Sequence, residues 1–108
     1  MNIKRIEQLQ IALQKNPTDP FLAYAITLEL LGANDEFCLA SFRKLLIDFP
    51  DYLPTYYQAA LLFSNHGFIE EARSTFLLGI EKTKATNNVK GLQELKNTLA
   101  NFEAEQDQ

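Results

Sequence analysis

The sequence predicts an all-α fold, a run of antiparallel helical hairpins stacked as a solenoid. Three observations carry that expectation. Apolar residues recur at three- and four-residue spacing in six segments, as helices with one covered face require. Proline, glycine and asparagine punctuate the gaps, and no stretch shows the period-two alternation of a half-buried strand. The middle of the chain also repeats itself, with Pro17 returning as Pro50 and Phe42 as Phe76.

The elements follow in order. The first helix is expected over 3–16, with Ile6, Leu9, Ala12 and Leu13 on one face. Asn16-Pro17 stops it, because the residue before proline is pushed out of the α region. Asp19-Pro20 opens the second, Asp capping free N–H groups and Pro fitting the first helical position. That helix, expected from Pro20 to Leu31, is apolar on nearly every side, and Thr27 and Glu29 are its polar interior residues. A helix of that kind needs cover from several directions. Gly32 ends it, and Asn34-Asp35-Glu36 starts a third with Leu39, Phe42, Leu45, Leu46 and Phe49 on one face. The fourth begins near Pro54 and closes at His66-Gly67; the fifth, from about Phe68, carries Ile69, Ala72, Phe76 and Ile80 on one stripe. The sixth, over 88–104, has the narrow seam Leu92, Leu95, Leu99 and Phe102, and the polar tail from Glu103 is expected to fray.

Composition bounds the function. At 108 residues, 46% apolar and 22% charged, the chain reads as one globular domain, 1–108. A net charge of −4 and scattered basic residues exclude the basic face that nucleic-acid binders need. Cys38 is the one cysteine and His66 the one histidine, so no internal disulfide, no zinc site and no two-histidine metal site can form, and no cofactor is expected. The residues after Met1 turn polar at once, which argues against a signal peptide, and no apolar run reaches the ~20 residues that span a bilayer. A cytoplasmic location without membrane contact is the expectation.

Aligning the two halves sharpens the repeat. Ile26 falls on Ala59 and Leu30 on Phe63; Cys38 falls on Ala72, Leu45 on Gly79 and Leu46 on Ile80, with one residue fewer in the first turn. These residues resemble the tetratricopeptide repeat. Its pattern sets an aromatic, Leu-Gly and Tyr in the first helix, Ala and Phe in the second, and a closing Pro. Residues 51–84 match with Tyr56, Ala59-Ala60, Phe63, Gly67, Ala72, Phe76 and Gly79; Lys84 replaces the proline, so the last helix is expected to run on. Residues 19–50 match more loosely, with Ala23 in place of the aromatic, then Ile26, Leu30, Cys38, Phe42 and Pro50. Residues 3–16 resemble the second helix of a preceding repeat, and 88–104 a terminal capping helix. The small residues Ala59, Ala60, Ala72 and Gly79 are expected to let paired helices approach closely.

The resemblance implies a non-catalytic module that holds a peptide or partner helix on a concave surface lined by the first helix of each repeat. On those helices Phe21, Tyr24, Leu28 and Leu31 form one outward stripe, and Tyr57, Gln58 and Leu61 sit at corresponding places. The same surface could instead build a homodimer. A third reading, an enzyme using Cys38 with His66, is weighed against Cys38 as a buried small hydrophobe and His66 as a helix-end residue, and the structural account is preferred. Asp35-Glu36 and Glu70-Glu71 stand where helices begin and read as capping and dipole partners.

Overall fold

Six helices and no strand make up the chain in the computed structural model, which describes all residues from Met1 to Gln108. They are α1 (Ile3–Lys15), α2 (Pro20–Leu30), α3 (Asp35–Asp48), α4 (Pro54–Asn65), α5 (Ile69–Lys84) and α6 (Val89–Gln106). Side-chain caps start four of them. Asn2, Asp19, Asn34 and Asn88 accept from the backbone N–H groups of Arg5, Phe21, Phe37 and Gly91 at 3.0, 3.0, 3.1 and 2.9 Å. Each cap satisfies a donor the helix cannot use, a contribution of about 1 kcal/mol. α5 has no such cap, but Glu70 and Glu71 sit at its positive end and Lys82 and Lys84 at its negative end. Gly32 and Gly67 take φ of +82° and +83° between helices, where a Cβ would strain the chain.

Two helix ends differ from the sequence expectation. α2 stops at Leu30; Leu31 has already left helical geometry, with ψ at 131°. Gly32 supplies the left-handed residue, and Asp35 Oδ1 accepts its N–H at 2.7 Å, which tightens the turn one residue early. At the other end the helix extends into the tail expected to fray. α6 continues to Gln106, because Glu103 on it is held by Arg73. α5 ends at Lys84 and is 16 residues long against 14 for α3, so it does run on where proline is missing.

The chain falls into two compact units, Met1–Thr55 and Tyr56–Gln108, with the break inside the first turn of α4. In the first, α2 packs against both α1 and α3. Leu22, Ala25, Ile26, Cys38, Phe42 and Leu45 are buried there, with Ile6 reaching in from α1. Glu29 ties α2 to α1, with its Oε1 2.9 Å from Arg5 Nε. Thr27, fully buried, ties α2 to α3: its hydroxyl donates to the Ala23 carbonyl at 2.7 Å and lies 2.6 Å from Ser41 Oγ.

In the second unit Tyr56, Ala59, Ala60, Phe63, Ala72 and Phe76 are at most 1% exposed. A buried Phe or Tyr contributes about 1.5–3 kcal/mol through lost water contact, so these rings outweigh any single polar contact in the unit. α4 and α5 come close together at Gly79, where a Cβ would lie 2.7 Å from Tyr56 Cβ. α5 and α6 pair through Phe76 and Phe102, whose ring centroids are 5.5 Å apart. No helix is long and apolar enough to cross a membrane.

Candidate functional site

The outward stripe of α2 starts from its cap. Asp19 fixes the first turn, and Pro20 pre-sets its backbone angle. With Leu22, Ala25, Ile26 and Thr27 turned inward, Phe21, Tyr24 and Leu28 fall on the opposite side at helical spacing. Phe21 is 47% exposed, while Tyr24 and Leu28 are half-buried. Leu31 is half-buried as well but lies beyond the helix end, so helical register does not align it with the other three.

Tyr24 packs against a second aromatic ring. Its ring meets Tyr52 edge-on, centroids 5.5 Å apart at 69°, a geometry that suits the aromatic quadrupoles. Burial raises the Tyr24 phenol above its ordinary pKa, and Tyr52 adds to the rise. Tyr52 is raised in the same way by burial and by Asp19. Both stay neutral through the physiological range and present apolar bodies with hydrogen-bonding tips.

In the second unit, α4 turns Tyr56, Ala59, Ala60, Leu62 and Phe63 inward. Tyr57, Gln58 and Leu61 are half-buried on its other side. Among the residues the sequence assigns to packing, Ile26, Cys38, Phe42, Tyr56, Ala59, Ala60, Phe63, Ala72, Phe76 and Gly79 are buried. Leu30 is half-buried, and Gly67 is exposed, where its φ makes the turn. Leu22 and Leu62 are also buried, although the repeat pattern does not single them out.

The thiol is poorly placed for chemistry. Cys38 is fully buried and its Sγ lies 3.3 Å from the Thr27 carbonyl oxygen, to which it donates. Burial and the nearby Asp35 carboxylate push its pKa up, so it remains a protonated thiol rather than a nucleophilic thiolate. His66 is exposed at the α4–α5 turn. No group of three or more His, Cys, Asp or Glu residues is arranged to hold a metal ion.

One cluster stands apart from the scattered basic residues. Arg73 donates to Glu70 and, from Nε at 2.8 Å, to Glu103, while its guanidinium lies 5.5 Å from the centre of the Phe102 ring. The hydrogen bond to Glu70, and then that to Glu103, raise its pKa. Glu70 stands three residues before Arg73, a helical neighbour visible in the sequence. Glu103 is thirty positions away, and its partnership follows only once Phe102 is seen to dock α6 on α5.

The fold has close counterparts among solved structures. The solution NMR structure of a tetratricopeptide repeat domain protein from Salinibacter ruber superposes with a TM-score of 0.76 at 33% identity, covering 82% of this chain and 91% of that one. A crystal structure of a tetratricopeptide repeat domain protein from the same organism gives 0.75 at 33% identity, covering 80% of this chain and 97% of that one. No protein-family model and no curated protein matches the sequence. The fold and its repeated packing positions define a helical-repeat module of the protein-interaction kind. The chain belongs to the tetratricopeptide repeat family.

Proposed function

We propose that this chain is a non-catalytic binding module that captures a peptide or a helix of another protein on the outer stripes of its repeat helices. The observation that carries the reading is the α2 stripe: Phe21 at 47% exposure continues into the half-buried Tyr24 and Leu28, an apolar row without a charged residue. Aromatic rings give large contact area at small cost in side-chain entropy, which is why they dominate binding hot spots. In the second unit, Tyr57 and Leu61 give α4 an apolar stripe of its own, and Gln58 adds a polar contact. The stripes carry no Lys or Arg, so the partner is held by apolar burial rather than by a clamped carboxylate. The buried, protonated Cys38 supports the absence of thiol chemistry.

The test uses Phe21→Glu and Leu61→Gln. Position 21 lies in the first turn of α2, where an acid is favoured by the dipole, so the helix survives while the apolar row is broken. Both variants should keep wild-type circular dichroism. A protein retained by the wild-type chain from cells of its source, and lost at least tenfold by both variants, supports the proposal. Equal retention by all three sinks it. Light scattering over a concentration series separates the other use of the stripes: a dimer abolished by the same changes would make self-association the function.

A further inference from the structure

We propose that the outer face of α5 is a self-association surface, through which two copies of the chain pair antiparallel about Leu77 and Leu78. The two leucines are 53% and 45% exposed, although the opposite side of the helix is filled by Ala72, Phe76 and Ile80. The fold does not require leucine at these places. With Phe42 laid on Phe76, the first repeat has Arg43 and Lys44 there. Lys44 is exposed and reaches along the surface to Asp48 at 2.7 Å, as a solvated base does. The exposed large apolar residues of α3, Phe37 and Ile47, stand ten positions apart and make no adjacent pair. Two neighbouring leucines left open to water, where the companion repeat sets two bases, mark a contact surface rather than a packing need.

The order of side chains along this face selects a second copy as the occupant. Ser74, Leu77, Leu78 and Glu81 share one side of the helix and are all exposed, with Glu70 a turn before them and Lys84 a turn after. Turning a second copy end for end about the leucines sets its Lys84 beside Glu70 and its Glu81 beside Ser74, and symmetry makes each contact twice. The Ser74 hydroxyl, which donates to the Glu71 carbonyl at 3.1 Å within the helix, can turn to that carboxylate. A parallel pair would set Glu70, Glu81 and Lys84 each against its own counterpart, so like charges would meet. The helix has 16 residues and is about 24 Å long, and one such pair covers less than the ~1,200 Å² of a standard interface. The dimer is therefore a weak one. None of these residues belongs to the stripes of α2 and α4, so the pairing does not rest on the binding role of those stripes.

Sedimentation equilibrium of the full chain, from about 20 μM to about 2 mM, reads the pairing. The weight-average mass should climb from 12.3 kDa toward twice that value, with a dissociation constant of about 0.1–1 mM. The double variant Leu77→Arg with Leu78→Lys, which installs the side chains of the first repeat, should keep its helical circular dichroism and stay monomeric throughout. Phe21→Glu should pair like the wild type. Orientation is read with a nitroxide on Lys84→Cys in a Cys38→Ala background, mixed with isotope-labelled wild type. The amide signals of Glu70 and Glu71 should then broaden more than that of Lys84. A mass that stays at 12.3 kDa, a dimer unaffected by the double variant, or broadening greatest at Lys84 overturns the proposal. So does a dimer lost in Phe21→Glu, which assigns self-association to the α2 stripe instead. Should the double variant lose its helices, the site of broadening decides alone.

Discussion

At Gly79 the backbone of α5 comes so near α4 that a single methyl group would fall 2.7 Å from Tyr56 Cβ. The neighbour is a Cβ anchored to the main chain rather than a flexible tip, so the helices themselves would have to part. Gly79→Ala removes the helix penalty of glycine, about 1 kcal/mol, yet overpacking costs about 1–3 kcal/mol. The expected outcome is a net loss of up to about 2 kcal/mol in urea unfolding, the reverse of the usual effect of alanine in a helix. Thr55 shows the opposite economy of atoms. Its hydroxyl is buried and has no hydrogen-bond partner. An unmet buried hydroxyl costs about 1–3 kcal/mol, so Thr55→Val should leave stability unchanged or raise it by up to about 1 kcal/mol, read from the denaturation midpoint. Cys38 occupies the position that Ala72 fills in the second repeat, and both are fully buried. Cys38→Ala should therefore cost no more than about 1 kcal/mol, and the native thiol should react with a thiol reagent only after the chain unfolds.

Among the elements, the boundaries follow local chemistry that a sequence displays openly. Asp19-Pro20, Gly32, Asn34 and Gly67 act through their own backbone and the next few residues, and the helices begin and end beside them. The two misplaced ends have non-local or competing causes. Leu31 looks helical by composition, but Gly32 and Asp35 close the turn before it. The tail looks ready to fray by composition, but Arg73 draws Glu103 onto α5. Burial was legible wherever small and aromatic residues recur at repeat spacing, and the stripe residues were legible as the apolar positions left over. The Arg73 cluster was not, because one of its two carboxylates arrives from thirty positions away. Arg73→Ala should leave α4 and α5 helical while the last two turns of α6 exchange their amide protons faster in hydrogen–deuterium measurements. Unchanged protection there would show that the Phe76–Phe102 contact alone docks α6.

Over the whole molecule, the three groups whose proton affinity is raised by burial, Tyr24, Cys38 and Tyr52, all lie in the first unit. Below the ordinary thiol pKa of about 8.5 both folded and unfolded chains keep these protons, and stability does not depend on them. Above it the unfolded chain releases the Cys38 proton while the folded chain retains it, so stability falls as pH rises. The slope approaches about 1.4 kcal/mol per pH unit for that group, and the tyrosines add to it at still higher pH. Chemical denaturation between neutral and strongly alkaline pH should show this decline, and Cys38→Ala should flatten its early part. The exchanged pair, Ala23 with Leu45 against Tyr56 with Gly79, has a consequence for descent. No single substitution converts one arrangement into the other without passing through crowding or a hollow. Either intermediate costs stability, so the two positions should vary together among descendants rather than one at a time.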